Sequence, residues 1–172
     1  VGLGGNASLA VNHFETLSED YPEHFDVMLN LAESYLWNDQ AIEAAVLYED
    51  LMAKQSNNFV ANFGAANANA SIGEYEKSYA LIQKAIEIDP TNQSALSAKK
   101  YIILGYANQK KEENQIKEAN TLVKIAEEEY PGDQDVMFLK ANLALVEDRP
   151  RLSENIFEDI LKKDPENFEA MM

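Results

Sequence analysis

Apolar residues recur three or four positions apart along almost the entire chain. The stretches IEAAVLYEDLMAK, YALIQKAIEI, IKEANTLVKIAEE and LSENIFEDILKK all show it, and in the last the apolar positions are Leu152, Ile156, Phe157, Ile160 and Leu161. This spacing lays an apolar stripe along each of a series of amphipathic helices. Alternating apolar and polar runs rich in Val, Ile and Thr, the mark of strands, are almost absent. Prolines follow the helical stretches and do not interrupt them. Pro22, Pro90, Pro131 and Pro165 each stand just past a predicted helix, where a residue that cannot continue the helix acts as a stop. The pattern predicts an all-α chain.

The stops fall at regular intervals. Pro22 and Pro90 are 68 residues apart, twice 34, with Ser56 of KQSNN midway, and Pro131 and Pro165 are 34 apart. Pro90 to Pro131 is 41, an excess of seven residues. Seven residues are about two helical turns, so one unit is expected to carry longer helices, by about a turn each. Twelve residues before each stop stands a small residue: Ala10, Ala44, Ser78, Ala119 and Ser153. Four residues further on stands a bulky one: Phe14, Tyr48, Ile82, Val123 and Phe157. Small residues also recur in the first helix of each unit, at Ala32, Ala66 and Ala141. Gly5, Asn38-Asp39, Gly73 and Asp148 are expected between helices, because Gly, Asn and Asp tolerate the left-handed conformation that ends a helix. A helix–turn–helix period of this length signals an array of stacked units.

With these markers the chain resembles the tetratricopeptide repeat family over nearly its whole length. The best-matched units are FDVMLNLAESYLWNDQAIEAAVLYEDLMAKQSNN and FVANFGAANANASIGEYEKSYALIQKAIEIDPTN, the second containing the family's Gly-x-Tyr turn at Gly73 and Tyr75. The resemblance implies a single array over residues 1–172, a right-handed α-solenoid of antiparallel helix hairpins. Its parts are the second helix of a truncated repeat (6–22), repeats at 25–58 and 59–92, a repeat with longer helices at 93–133, a repeat at 134–167, and the start of a further one at 168–172. Within the second full repeat, the thin helix ANFGAANANAS is expected to hold by close approach, its Gly64, Ala65, Ala66 and Ala68 letting neighbours in. Two departures stand out. Lys99 and Lys100 fall where the third unit should have apolar and small residues, which leaves Tyr101 on either of two faces. Pro150 replaces the usual aromatic after the last inter-helix turn, a first-turn site where proline is tolerated.

Charge narrows the partners. Fourteen Lys+Arg against 30 Asp+Glu give −16, which repels phosphate backbones and anionic lipid. Nucleic acid and membrane surfaces are therefore not expected partners. There is no cysteine, hence no disulfide, zinc thiolate or thiol nucleophile. No run approaches 18 apolar residues, so no membrane insertion is expected. The opening VGLGGNASLA lacks the basic region of a signal peptide and reads as a cut inside a longer protein, compatible with cytoplasm or periplasm.

Catalytic chemistry is weakly signalled. His13 and His24 with Asp20 suit a solvated surface better than a metal site, PGDQD lacks the ligand spacing of a calcium loop, and an Asp there suits a helix N-cap. Glu112-Glu113 and Glu127 to Glu129 read as solvated helix faces. Ser78 and Ser153 fill packing sites, and GLGG follows no predicted strand. No enzyme activity and no cofactor are expected.

The resemblance implies a concave groove lined by the first helices, which takes a peptide or helix of a partner protein. Its lining in this chain would be Leu29, Glu33, Leu36 and Trp37; then Phe63, Asn67 and Ala70; then Ser97, Tyr101 and Leu104; then Phe138, Asn142 and Leu145. A contiguous exposed apolar lining marks a binding surface. The clamp with which chaperone-binding members hold a C-terminal carboxylate would map to Leu29, Glu33, Gly64, Asn67, Ser94 and Ala98, of which only Asn67 fits. Without cationic donors a carboxylate has nothing to pair with, so chaperone tails are not expected ligands. Two function classes follow: a protein-binding scaffold, or a structural spacer in a bacterial envelope assembly for secretion or polysaccharide export, whose repeats segments such as AAVLYEDLMAK resemble. Leu9, Phe14, Phe168, Met171 and Met172 are expected to lie poorly covered, which would favour weak end-to-end self-association.

Overall fold

Each hairpin turn is closed by one residue in the left-handed region. In the computed structural model, which describes residues 4–171, Asp39 (φ 60°), Gly73 (φ 82°), Asn114 (φ 59°) and Asp148 (φ 56°) occupy the same place in four successive hairpins. In each, the next amide donates back to a carbonyl five residues earlier: Gln40 to Tyr35, Glu74 to Asn69, Gln115 to Lys110 and Arg149 to Ala144, at 2.8–2.9 Å. That bond engages one of the last carbonyls of the helix, which have no partner further along it.

The helices between these turns are α1 (Gly4–Asp20), α2 (Phe25–Trp37), α3 (Ala41–Lys54), α4 (Phe59–Ser71), α5 (Tyr75–Ile88), α6 (Gln93–Glu112), α7 (Ile116–Glu129), α8 (Gln134–Val146), α9 (Pro150–Lys163) and the short α10 (Phe168–Met171). Gly5, expected before a helix, lies within α1. Pro150 opens α9 at its first turn, where its missing N–H costs nothing.

The seven extra residues do not divide between the two helices of the long hairpin. α6 has 20 residues where α2, α4 and α8 have 13. α7 has 14, as do α3, α5 and α9. Seven residues bring a helix back to nearly the same face, about 20° off, so α6 gains two turns while keeping its sides. This resolves the misfit at Lys99-Lys100. Counted back from the Asn114 turn, the small site falls on Ala107, which is fully buried. Lys100 is displaced from that site by the two added turns, and Tyr101 stands exposed.

Chain contacts group into two units, Val1–Lys99 and Lys100–Met172, with the border inside α6. In the first, α1 packs on α2, α2 on α3, α3 on α4, and α4 on α5, while α2 and α4 also touch directly. Its core joins Ala32, Ala44, Ala45, Tyr48, Leu51, Ala61, Ala65 and Ala68. In the second, α7 packs on α8, α8 on α9, and α9 on α10. There Ala141, Ile156, Ile160 and Ala170 form a core flanked by Met137, Phe138, Leu152, Phe157 and Leu161. Four of the five repeating small sites are buried, Ala44, Ser78, Ala119 and Ser153 lying at 0–1 % exposure, while Ala10 in α1 is half-buried. Ser78 donates to the carbonyl of Ala66 at 2.7 Å, joining the two helices of its hairpin.

Near the start of the described chain, Leu9 is exposed and Phe14 half-buried. Met171 is exposed. The side chain of Phe168 and the whole of Met172 lie outside the described residues.

Candidate partner-binding faces

In the first unit, α2 carries Leu29, Glu33 and Trp37 at four-residue spacing, with Leu36 beside them, so they share one face. Leu29 and Leu36 are half-buried and lean on the core. Trp37, at the last turn, is 71 % exposed. The neighbouring α4 carries Phe59, Phe63 and Asn67 at the same spacing, and the rings of Phe59 and Phe63 stack with centroids 5.6 Å apart. The remaining sides of α4 are small and fully buried at Ala61, Ala65, Ala66 and Ala68. The thin helix therefore holds by closeness, and a half-buried aromatic projects from the side those contacts leave.

Tyr48 of α3 fixes the junction of α2 and α4. Its ring packs against Gly64 so closely that a methyl group there would overlap it. Burial, and then the charge of Glu33, push the Tyr48 hydroxyl well above its usual range. Tyr35 leaves the face on the other side, its hydroxyl donating to Glu15 of α1 at 2.9 Å.

The electrostatics of this face are one-signed. The first unit holds 4 Lys+Arg (Lys54, Lys77, Lys84, Lys99) against 14 Asp+Glu. None of the four cations belongs to α1, α2 or α4. Lys54 pairs with Glu23 at 2.6 Å, and Lys77 pairs with Glu49. Among the described residues no lysine or arginine pairs with Glu33.

In the second unit, Tyr101 is 65 % exposed, Leu104 is half-buried, and Asn142 and Leu145 are exposed on α8. Phe138 instead turns inward and meets Phe157, ring centroids 5.6 Å apart. Lys100 bridges Asp133 at 2.9 Å and Asp135 at 2.8 Å. Asp133 also caps α8, its carboxylate accepting the amides of Asp135 and Val136. Burial would raise the Asp133 carboxyl, but the Lys100 ammonium and the two amides outweigh it and hold it below the usual carboxylate range.

Two features are not evident from the sequence reading. The first is the Lys100–Asp133–Asp135 bridge, hidden because the lengthening of α6 moves Lys100 off a packing position. The second is an exposed apolar pair on α3, Ile42 (66 %) and Val46 (60 %). The corresponding sites on the other second helices are Glu76 and Ala80, Lys117 and Thr121, and Arg151 and Asn155. Aligning the four helices by their turns would have shown that contrast.

A pocket of about 450 Å³ in the first unit is lined by residues including Pro22, Glu23, Met28, Leu47, Asp50 and Lys54. The lysine in its lining is already paired with Glu23. Among the described residues no three His, Cys, Asp or Glu side chains cluster as metal ligands, and no helix is long and apolar enough to cross a membrane.

No protein-family model matches the sequence, and neither does any curated protein sequence. Solved structures do resemble the fold. MamA of MSR-1 superposes with TM-score 0.68 at 18% identity, covering 94% of this chain and 88% of that one. MamA from Desulfovibrio magneticus RS-1 gives 0.66 at 10% identity, covering 95% and 89%. A thermophilic TPR protein of Thermus thermophilus gives 0.51 at 14% identity, covering 97% and 88%. Identities this low speak for the fold alone. With left-handed closures at the same place in four hairpins and buried small residues at matching sites, the chain has the helical-hairpin fold of the tetratricopeptide repeat proteins.

Proposed function

We propose that the protein is a non-catalytic scaffold that binds a segment of a partner protein on the faces of its first helices. In the first unit the binding residues are Leu29, Glu33, Leu36, Trp37, Phe63 and Asn67. In the second they are Tyr101, Leu104, Asn142 and Leu145, with Phe138 supporting them from below. The observation that carries the reading is Trp37: a large aromatic that is 71 % exposed on a helix whose other large side chains lean inward. Aromatic anchors of this kind contribute most of the energy of an interface once a partner desolvates them. A photo-crosslinking amino acid at position 37 should capture the partner in cells, whereas the same residue at Glu76, on the exposed side of α5, should not. Equal capture at both positions would remove the reading.

The exposed pair Ile42 and Val46 favours a second reading, in which the outer side of α3 packs on a neighbouring part of a larger assembly, as a spacer would. Ile42→Glu with Val46→Glu should then release the protein from that assembly without unfolding it. Retention of the assembly would exclude this reading.

A further inference from the structure

We infer that the first unit's face of Leu29, Glu33, Leu36, Trp37, Phe63 and Asn67 takes a cationic, apolar segment of a partner protein, with a lysine or arginine set against Glu33. The inference rests on the docking reading above and adds the chemistry of the partner. Three observations support it. Glu33 is half-buried on α2, its charge helps to raise the Tyr48 hydroxyl of the neighbouring helix, and among the described residues no cation pairs with it. A half-buried carboxylate without a counter-ion gains more from an incoming ammonium or guanidinium than a fully solvated one does. Trp37, four residues on, shares its side of α2 and offers an open ring face to the same cation.

The surroundings point the same way. α2 contributes Asp26 and Glu33 and no cation, and α4 contributes no charged side chain at all. The unit as a whole has an excess of ten acidic groups. An acidic peptide, a phosphate group or an anionic surface would find only neutral donors on this face, the amide of Asn67 and the indole N–H of Trp37, and would be repelled at a distance. An apolar segment without cations would leave Glu33 desolvated and unpaired, a cost that a lysine or arginine removes.

Trp37 is the only tryptophan of the chain, so its emission reports the test directly. Three peptides without tryptophan, with one apolar sequence and with lysine, glutamine or glutamate at the polar positions, are titrated into the full 172-residue chain. The lysine peptide should blue-shift Trp37 and bind about tenfold more tightly than the glutamine peptide, the size of one charge-assisted contact. The glutamate peptide should bind weakest. Glu33→Gln should remove the lysine preference, Glu33→Asp should keep most of it, and Glu76→Gln should change it by no more than about twofold, as expected of a screened, distant charge. Equal blue shifts from all three peptides would overturn the cationic preference and leave docking at this face standing. No shift from any peptide would overturn both. Equal losses in Glu33→Gln and Glu76→Gln would mean diffuse attraction to an acidic chain and would overturn the assigned contact.

Discussion

Gly64 shows how one residue sets the distance between two helices. Alanine is ordinarily the better helix former by about 1 kcal/mol, so Gly64→Ala in the middle of α4 would stabilise a helix with room for it. Here the added methyl meets the buried ring of Tyr48, and overpacking costs roughly 1–3 kcal/mol. The clash should win, and Gly64→Ala should lower the thermal midpoint. Combined with Tyr48→Ile, the residue type at the matching Ile82, the same change should become neutral or stabilising. A double-mutant cycle checks this, and additive effects of the two changes would contradict it. Asp133 makes a second prediction at this scale. Its carboxyl is held low in the fold by Lys100 and two amides, working against burial. The stabilisation is therefore present above the unfolded value of about 4 and is lost as pH falls through the lower folded value. Asp133→Asn keeps an oxygen for the cap and should cost about 0.5–1 kcal/mol at neutral pH. The gap in thermal midpoint between the two proteins should narrow progressively in acid, and a gap of constant size would contradict the assignment.

Helix ends explain much of what is legible in the sequence. Gly73 and Asp148 are readable as turn closures because Gly and Asp tolerate positive φ, and the fixed interval places them. Asn114 is not readable in this way, since the seven extra residues suggest a turn in each helix and fall entirely in α6. Proline spacing reports the total length of a hairpin and carries no information on how that length divides. The N-caps follow the same period. Asn58, Asn92, Asp133 and Asn167 each accept an amide from the first turn of their helix. The matching residue before α2 is His24, which has extended backbone (φ −78°, ψ 110°) close to that of Asn58 (φ −81°, ψ 118°) but makes no side-chain cap. His24→Asn should therefore stabilise the protein by about 1 kcal/mol, visible as a higher midpoint in chemical denaturation. An unchanged midpoint would mean that the α2 amides are already satisfied. The candidate site is legible only in part. Helical spacing places Trp37 and Phe138 alike on first-helix faces, but only packing decides that Trp37 stays out while Phe138 turns toward Phe157.

For the whole molecule, the −16 charge disfavours anionic surfaces as partners, and in the proposed reading a partner docks on a few exposed large side chains. Buried small residues on both helices of each hairpin set helix spacing, and in the proposed reading the exposed side chains of the first helices carry specificity. Trp37 tests this division most directly because it belongs wholly to the surface. The measurement is the affinity of Trp37→Ala for the partner captured at position 37, taken together with its thermal midpoint. The account predicts binding weaker by about 2 kcal/mol and a midpoint that hardly moves, since exposed substitutions usually stay within about 0.5 kcal/mol. A large fall in the midpoint with unchanged affinity would contradict it, because Trp37 would then serve the fold and the partner would dock elsewhere.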